Sequence, residues 1–168
     1  YPNGMNNNLY WLDIGCGHGE FLNTLKEISK GKIVAKGSEP NISKQIAAKK
    51  KGLDVSFIDI ENHSKKYHAI SLLNVFSHLP NPPEFLLKIR NLLYRDGELL
   101  LQTGDTSTLK SNEHPKPFYL PDHLSFASEK IVANLLKNTG FQIISITKHH
   151  NVKWPYKKLF KEIVKFVH

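Results

Sequence analysis

The 168-residue chain has one cysteine, Cys16, and no apolar run near the roughly 20 residues that a bilayer-spanning helix needs. A single cysteine excludes an internal disulfide and any metal site built from several cysteines, and we predict no metal site of another kind. The polar start, YPNGMNNN, is not that of a secretory signal peptide. We therefore expect a cytoplasmic protein without a membrane span.

Acidic residues are the scarcer charged residues, with 15 against 23 lysines and arginines and a net charge of +8. Such an excess suits a nucleic acid, an anionic membrane surface or an anionic small substrate. The lysines concentrate in SKQIAAKKKG and KWPYKKLFKEIVKFVH, which both have the pattern of amphipathic helices. Because a solvated helix face accounts for most such runs, charge alone does not decide the function.

Apolar runs and helical patterns alternate along the chain, which predicts an α/β fold with a doubly wound, mostly parallel sheet of the Rossmann-like type. We predict one domain over 1–148, followed by a basic amphipathic C-terminal helix over 149–168. The predicted strands are 9–14, 32–39, 54–60, 68–76, 97–103 and 141–148, and the predicted helices are 19–29, 41–51, 81–93 and 128–139.

Residues 104–127 interrupt this alternation with prolines, histidines and aromatic residues that follow no period. A loop of this length inside a compact domain is typical of a lid or a binding segment. It follows the fifth strand, so it leaves the sheet at the edge where ligands bind in such folds. We predict that it forms the lid and the acceptor side of a binding site, the alternative being a loop that only covers the core.

Three glycines, Gly15, Gly17 and Gly19, directly follow the first strand in WLDIGCGHGEF. Glycine allows positive φ or a close approach to the backbone. The segment can be a tight turn without a ligand, a dinucleotide site, or a site for the nucleoside end of a ligand without phosphates. The usual dinucleotide spacing puts a third glycine where this chain has Glu20, which would repel a pyrophosphate. Two further acids, Glu39 and Asp59, lie at the carboxyl ends of the second and third predicted strands.

The segment LDIGCGHGEFL resembles the first motif, D-x-G-x-G-x-G, of class I S-adenosylmethionine-dependent methyltransferases. The resemblance continues in order through GSEP, FIDI, AISLLNVFSHLPNPPEFLLKIRNLLYRDGELLLQT and YLPDHLSFASEKIVANLLKNTGF. It implies that Glu39 grips both ribose hydroxyls and that Asp59 recognises the adenine amino group beside the N–H of Ile60. The family's sheet usually has seven strands, so we expect the last antiparallel strand to be absent here.

The resemblance implies S-adenosylmethionine as cofactor. This ligand has a ribose diol, a sulfonium and no phosphate; Glu39 can accept two hydrogen bonds from the diol, and Asp13 and Glu20 suit its positive groups. The chain starts almost on its first strand, without the family's preceding helix, which predicts that it is part of a longer domain. The implied cofactor-binding residues are Asp13, Gly15, Cys16, Gly17, Gly19, Glu39, Pro40, Asp59, Ile60, Asn74, Val75 and His78.

Methyl transfer from a sulfonium is an in-line displacement in which the enzyme supplies positioning and sometimes a base. We predict His123 as the general base, with His78 as the second candidate and His18 as a less favoured one. His78 lies in FSHL, where the family commonly has E-H, so Ser77 replaces the acid. A structural role for His78 is an equal alternative.

We predict transfer to a small polar acceptor, a sugar or a sugar-linked intermediate, because the PDHLSF type of segment is associated with such pathways. One alternative is a nucleic-acid or protein methyltransferase that docks through the lysine-rich helices. Another is a non-catalytic module that binds the cofactor. NPPEF at 81–85 resembles the N-P-P-[YFW] motif of enzymes that methylate amines on nucleic acids. It comes too late after the fourth strand, at positions that favour a helix start, so it lends no support to a nucleic-acid substrate.

Overall fold

The computed structural model describes residues 8–104, 107 and 123–148, and the backbone of Phe166–Val167. A short 3₁₀ turn, Phe76–His78, precedes the third helix. The strands are β1 (Leu9–Ile14), β2 (Ile33–Ser38), β3 (Val55–Ser56), β4 (Tyr67–Leu73), β5 (Leu93–Gln102), β6 (Gln142–Ile143) and β7 (Phe166–Val167), and the helices are α1 (Glu20–Ser29), α2 (Ile42–Lys50), α3 (Pro82–Leu92) and α4 (Glu129–Asn138).

The described strands form one sheet in the order β3-β2-β1-β4-β5-β7-β6. Strands β1 to β5 pair in parallel, and β1 pairs on one side with β2 and on the other with β4. The predicted α/β class with a doubly wound, mostly parallel sheet is confirmed. Because parallel strands end at one edge, the segments after β1, β2, β3 and β4 meet there.

The last antiparallel strand is present, so the expectation that the sheet lacks it was wrong. Strand β7 pairs antiparallel with β5 at Glu98 and Leu99 and with β6 at Gln142 and Ile143. The prediction of a helix over 149–168 was also wrong at residues 166–167, which form β7. Phenylalanine and valine suit strands, and β5 offers a row of backbone donors and acceptors for pairing. The remainder of the predicted helix lies outside the described residues.

Helices cover both faces of the sheet and bury two apolar clusters. The larger cluster lies under α3 and α4, and its fully buried members include Leu12, Ile70, Leu86, Ile89 and Leu99. The smaller cluster lies against α1 and α2 and consists of Cys16, Leu22, Ala48, Leu53 and Val55, with Ala35 packed on it. Burial on both faces explains why the central strands are nearly continuous apolar runs.

Polar side chains define where the helices begin. Asn41 accepts a hydrogen bond from the N–H of Lys44 at the start of α2, and Ser128 accepts one from Ile131 at the start of α4. The NPPEF segment begins α3: Asn81 is its N-cap, and two prolines occupy the first turn. The helix interpretation of NPPEF is therefore confirmed. No helix in the described part of the chain is both long and apolar enough to cross a membrane.

Candidate cofactor site

The glycine loop connects β1 to α1, and its three glycines have φ of +70°, +58° and +80°. A Cβ at Gly15 would overlap the side chain of Val75, and one at Gly19 would overlap that of Leu53. At Gly17 the nearest atom to such a Cβ would be Glu20 Oε2, at 4.0 Å. Gly15 and Gly19 are therefore required by packing as well as by conformation, while Gly17 leaves bare backbone beside open space.

Glu39, directly after β2, ties the loop to the neighbouring strand. Its side chain is only 5% exposed, and its two carboxylate oxygens accept the N–H of Gly17 and the N–H of Asn41, each at 2.9 Å. Its carbonyl oxygen accepts a hydrogen bond from Gln45 Nε2 at 2.7 Å. Because a carboxylate has about four lone-pair sites, Glu39 retains acceptor capacity for the hydroxyls of a ligand.

Asp13, near the end of β1, is a buried acid with 2% exposure. Its Oδ1 accepts the hydroxyl of Ser71 on β4 at 2.5 Å, and Ser71 Oγ accepts the indole N–H of Trp11 at 3.0 Å. Burial raises the pKa of Asp13 to about 7, although the hydrogen bond from Ser71 acts in the opposite direction. Sequence reasoning missed Ser71 and Trp11, because only the pairing of β1 with β4 brings them to Asp13.

Cys16 lies inside the loop with its thiol buried. Burial, and after it the negative charges of Asp13 and Glu39, raise the pKa of the thiol to about 12. A Cβ at Gly37 on β2 would lie 2.5 Å from the sulfur, so a glycine there makes room for it. With this pKa the thiol is neutral at ordinary pH. The backbone N–H of Cys16 donates to the carbonyl of Ser38 at 3.2 Å, which joins the loop to the end of β2.

Asp59 and Ile60 follow β3 at the same edge. Asp59 is exposed, and its carboxylate accepts the N–H of Glu61 at 3.1 Å and the side-chain amide of Asn62 at 2.6 Å. The side chain of Ile60 is buried in the larger core. Pro40, between Glu39 and the cap of α2, is exposed. The bonds to Glu61 and Asn62 leave lone pairs on Asp59 for an adenine amino group, so the structure is compatible with the expected role.

The turn after β4 forms the other wall of the site. Asn74 has a φ of +58° and donates its N–H to the carbonyl of Gln102 at 3.0 Å, which joins β4 to the end of β5. Asparagine is one of the few residues other than glycine that adopt this conformation readily. Val75 then packs against Gly15. The reversal at Asn74 therefore brings the 3₁₀ turn toward the glycine loop.

The structure brings together the two histidines predicted as bases. The rings of His78 and His123 lie 4.8 Å apart between centroids and are nearly perpendicular, at 83°. The N–H groups of Leu124 and Ser125 both donate to the carbonyl of Ser77, at 2.7 and 3.2 Å. Most of the predicted lid, including Phe118, Tyr119 and Asp122, lies outside the described residues.

Solved structures with the same fold include a cyclopropane synthase and methyltransferases. The cyclopropane synthase MmaA2 from Mycobacterium tuberculosis aligns with 19% identity and a TM-score of 0.65 over 84% of this chain and 57% of its own. The plantazolicin methyltransferase BpumL, solved with a plantazolicin analogue and S-adenosylhomocysteine (SAH), aligns with 21% identity and a TM-score of 0.65 over 80% of this chain and 59% of its own.

Sequence comparison adds a curated relative and a family. A tRNA U34 carboxymethyltransferase from Cellvibrio japonicus is 29% identical in an alignment of 101 positions that covers 55% of this chain and 31% of that protein. The chain thus spans about a third of the curated relative and less than two thirds of the two solved structures. The model of the methyltransferase domain family matches residues 4–146. The chain therefore belongs to the methyltransferase domain family, as its resemblance to the class I S-adenosylmethionine-dependent enzymes predicted.

Proposed function

We propose that this chain is a class I methyltransferase that uses S-adenosylmethionine to methylate a small polar acceptor, a sugar or a sugar-linked intermediate. The observation that carries the proposal is the buried carboxylate of Glu39, which accepts the N–H of Gly17 at 2.9 Å, next to a backbone where an added Cβ would meet no atom closer than 4.0 Å. A carboxylate in this position accepts the hydroxyls of a ribose and repels a phosphate. It therefore favours a nucleoside ligand without phosphates over a dinucleotide.

The residues around Glu39 fit the remaining parts of this cofactor. Asp13 lies on the side where a positive amino group would be stabilised, and Asp59 with Ile60 lies at the end of β3 for the adenine. Gly17 allows close approach of the ligand to the backbone, and Gly15 and Gly19 let the loop pack against Val75 and Leu53. In this proposal, the edge around the glycine loop and Glu39 is lined by Asn74, Val75, His78 and Pro40. When bound, the cofactor supplies a methyl group on a sulfonium, which is activated toward a nucleophile.

The histidine pair supports a general-base role next to this edge. A neutral imidazole nitrogen of His123 would take the proton from an acceptor hydroxyl as the hydroxyl oxygen attacks the methyl carbon. His78, with its ring 4.8 Å away, lies on the turn that faces the glycine loop. The hydrogen bonds from the N–H groups of Leu124 and Ser125 to the carbonyl of Ser77 support this position of His123 beside the turn of His78. Positioning of this kind is the main contribution that an enzyme makes to an in-line displacement.

A second candidate function, methylation of a nucleic acid, is favoured by the similarity to a tRNA-modifying enzyme and by the net charge of +8. The NPPEF segment gives it no support, because those residues cap α3 and do not follow β4 directly. The similarity to a plantazolicin methyltransferase supports a small acceptor. We therefore keep the small polar acceptor as the leading proposal.

The proposal is tested by screening metabolite pools and transfer RNA for incorporation of a labelled methyl group from S-adenosylmethionine. We expect turnover with a small hydroxyl compound. With that acceptor, His123→Ala should lower turnover by about 10²–10⁴ while its affinity for SAH is unchanged. Unchanged turnover would transfer the base role to His78. Labelling of transfer RNA alone would overturn the small-acceptor proposal, and absence of SAH binding would overturn the cofactor.

A further inference from the structure

A chain of three side chains runs through the face of the sheet below the glycine loop. It begins at Trp11 on β1, passes through Ser71 on β4 and ends on the carboxylate of Asp13. Ser71 is fully buried and pairs in register with Asp13 across the two strands. The indole of Trp11 also packs edge-on against Phe21 of α1, with 5.7 Å between ring centroids. All three side chains are therefore held by rigid elements.

The donors and acceptors of this chain can be assigned from chemistry alone. An indole N–H can only donate, so Ser71 Oγ must accept the hydrogen bond from Trp11. The single hydroxyl hydrogen of Ser71 is then available for Asp13 Oδ1, 2.5 Å away. Among the described residues, this is the one hydrogen bond to the carboxylate that the structure resolves. Trp11 thus sets the direction in which Ser71 donates.

We propose that Ser71, oriented by Trp11, is a positioning residue that holds Asp13 in its charged form for the positive amino group of the cofactor. This inference rests on the proposed cofactor and assigns a role to two residues outside the family's motif. A hydrogen bond from a hydroxyl stabilises the charged carboxylate more than the neutral acid. Of the other titratable groups around the loop, Glu39 and Glu20 are acids and the buried Cys16 thiol holds its proton, so none of them supplies a positive charge for Asp13. Ser71 therefore supplies a hydrogen bond that stabilises the charged form of Asp13, which burial disfavours.

The consequence is a coupling between cofactor binding and proton release. With a pKa of about 7, Asp13 is about half protonated at pH 7, and binding of a cationic amino group favours the charged form. Loss of the Ser71 hydroxyl raises this pKa further. If the rise is about one unit, the protonated fraction at pH 7 becomes about 0.9, and the affinity at that pH falls about fivefold. At pH 8.5 the difference should be small.

The test is calorimetric titration of the protein with SAH at pH 7 in buffers of different ionisation enthalpy, which measures the protons released. We expect wild type to release about half a proton more than Asp13→Asn and Ser71→Ala to release about 0.9 more. Ser71→Thr, which keeps the hydroxyl, should behave like wild type. Trp11→Phe should change proton release in the same direction as Ser71→Ala but by less.

Two outcomes separate this inference from the proposed function. If wild type binds SAH and Ser71→Ala releases the same number of protons with the same affinity at pH 7, the role of Ser71 is overturned while the cofactor stands. If wild type binds no SAH between pH 6 and 8.5, the cofactor itself is overturned. Thermal unfolding of each variant, followed by circular dichroism, verifies that the substituted proteins are folded.

Discussion

Asp13 and Cys16 lie three residues apart at one buried turn, and each holds its proton more tightly than usual. Burial is the main cause in both cases, because it penalises the charged form of either side chain. The consequences differ, since a pKa of about 7 lets Asp13 ionise near neutral pH while a pKa of about 12 keeps the Cys16 thiol neutral. At the residue scale, this turn therefore contains one acid that titrates near neutral pH and one thiol that stays protonated.

The raised pKa of Asp13 makes the stability of the ligand-free protein depend on pH. The folded state binds this proton more tightly than the unfolded state, whose pKa is 3.8, so Asp13 lowers stability as the pH rises from about 4 to about 7. We expect Asp13→Asn to raise the free energy of unfolding at pH 8 by several kcal/mol, about 4 at most, and to change it little near pH 4. Urea unfolding of both proteins at the two pH values measures this. Equal differences at pH 4 and pH 8 would contradict the assignment.

The same burial predicts a slow reaction of Cys16 with alkylating reagents. The thiolate is the reactive form, and a pKa of about 12 leaves almost none of it at pH 8. We expect alkylation by iodoacetamide, followed by mass spectrometry, to be at least about a hundredfold slower in the folded protein than in urea. Because Cys16 is the single cysteine, the unfolded chain is its own control. Similar rates in both states would show that the thiol is accessible and ionised.

At the scale of secondary-structure elements, the start of α3 separates two interpretations of NPPEF. Asn81 caps the helix by accepting the N–H of Glu84, and its side-chain amide donates to the carboxylate of Glu84 at 2.9 Å. In the nucleic-acid enzymes with a similar motif, the asparagine directly follows the fourth strand. Here the turn after β4 is occupied by Asn74, Val75 and the 3₁₀ turn. The role of Asn81 in this structure is thus that of a cap.

We therefore expect Asn81→Ala to lower the free energy of unfolding by about 1 kcal/mol and to leave SAH affinity and turnover unchanged. Asn81→Asp, which retains an N-cap acceptor, should restore most of the lost stability. Urea unfolding and a methyl-transfer assay on the same preparations provide both readouts. A loss of turnover greater than tenfold without a matching loss of stability would revive the catalytic interpretation of NPPEF.

Elements with local signals could be predicted from the sequence, and elements set by tertiary pairing could not. Strand β1 was predicted at its observed bounds, and the four helices to within about two residues, because caps and apolar spacing are local. Strands β3 and β6 are much shorter than predicted, since an apolar run does not reveal where pairing stops. Strand β7 was not predicted, because its residues fit the spacing of a helix. They form a strand in the structure because β5 offers an open edge for pairing.

The residues of the candidate site could likewise be predicted only where the signal is local. Gly15, Gly17, Glu39 and Asp59 could be found in the sequence, because each follows a strand in a recognisable motif. The partners that set their chemistry could not be found. Ser71 reaches Asp13 only through the register of β1 with β4, and His78 meets His123 only because residues 124 and 125 bind to Ser77. Burial, which sets the pKa of Asp13, is likewise a property of the assembled fold.

At the scale of the whole molecule, several lysines of this basic chain form ion pairs with neighbouring acids. Lys36 pairs with Asp54, Lys51 with Glu20, and Lys88 with both Glu61 and Glu84. Exposed pairs of this kind contribute little to stability, but they reduce the density of unpaired positive charge on the surface.

A small polar acceptor offers no row of phosphates, so the proposed function predicts a weak response of substrate binding to salt. We expect the KM for the small acceptor to change less than about threefold between 50 and 200 mM salt. Affinity for a nucleic acid bound through several phosphates would fall by orders of magnitude over the same range. Steady-state kinetics with the acceptor and filter binding with transfer RNA at the two salt concentrations make the comparison. Tight, strongly salt-dependent binding of RNA would favour the nucleic-acid alternative.

The central claim, that Glu39 binds the ribose of S-adenosylmethionine, is tested most directly by a thermodynamic cycle. Calorimetry would measure the binding of SAH and of its 2′,3′-dideoxy analogue to wild type and to Glu39→Gln, with Glu27→Gln on the exposed face of α1 as the matched control. We predict that wild type and the control prefer SAH by about tenfold or more, and that Glu39→Gln loses most of this preference. An equal preference in all three proteins, or tight binding of a nicotinamide dinucleotide, would contradict the account.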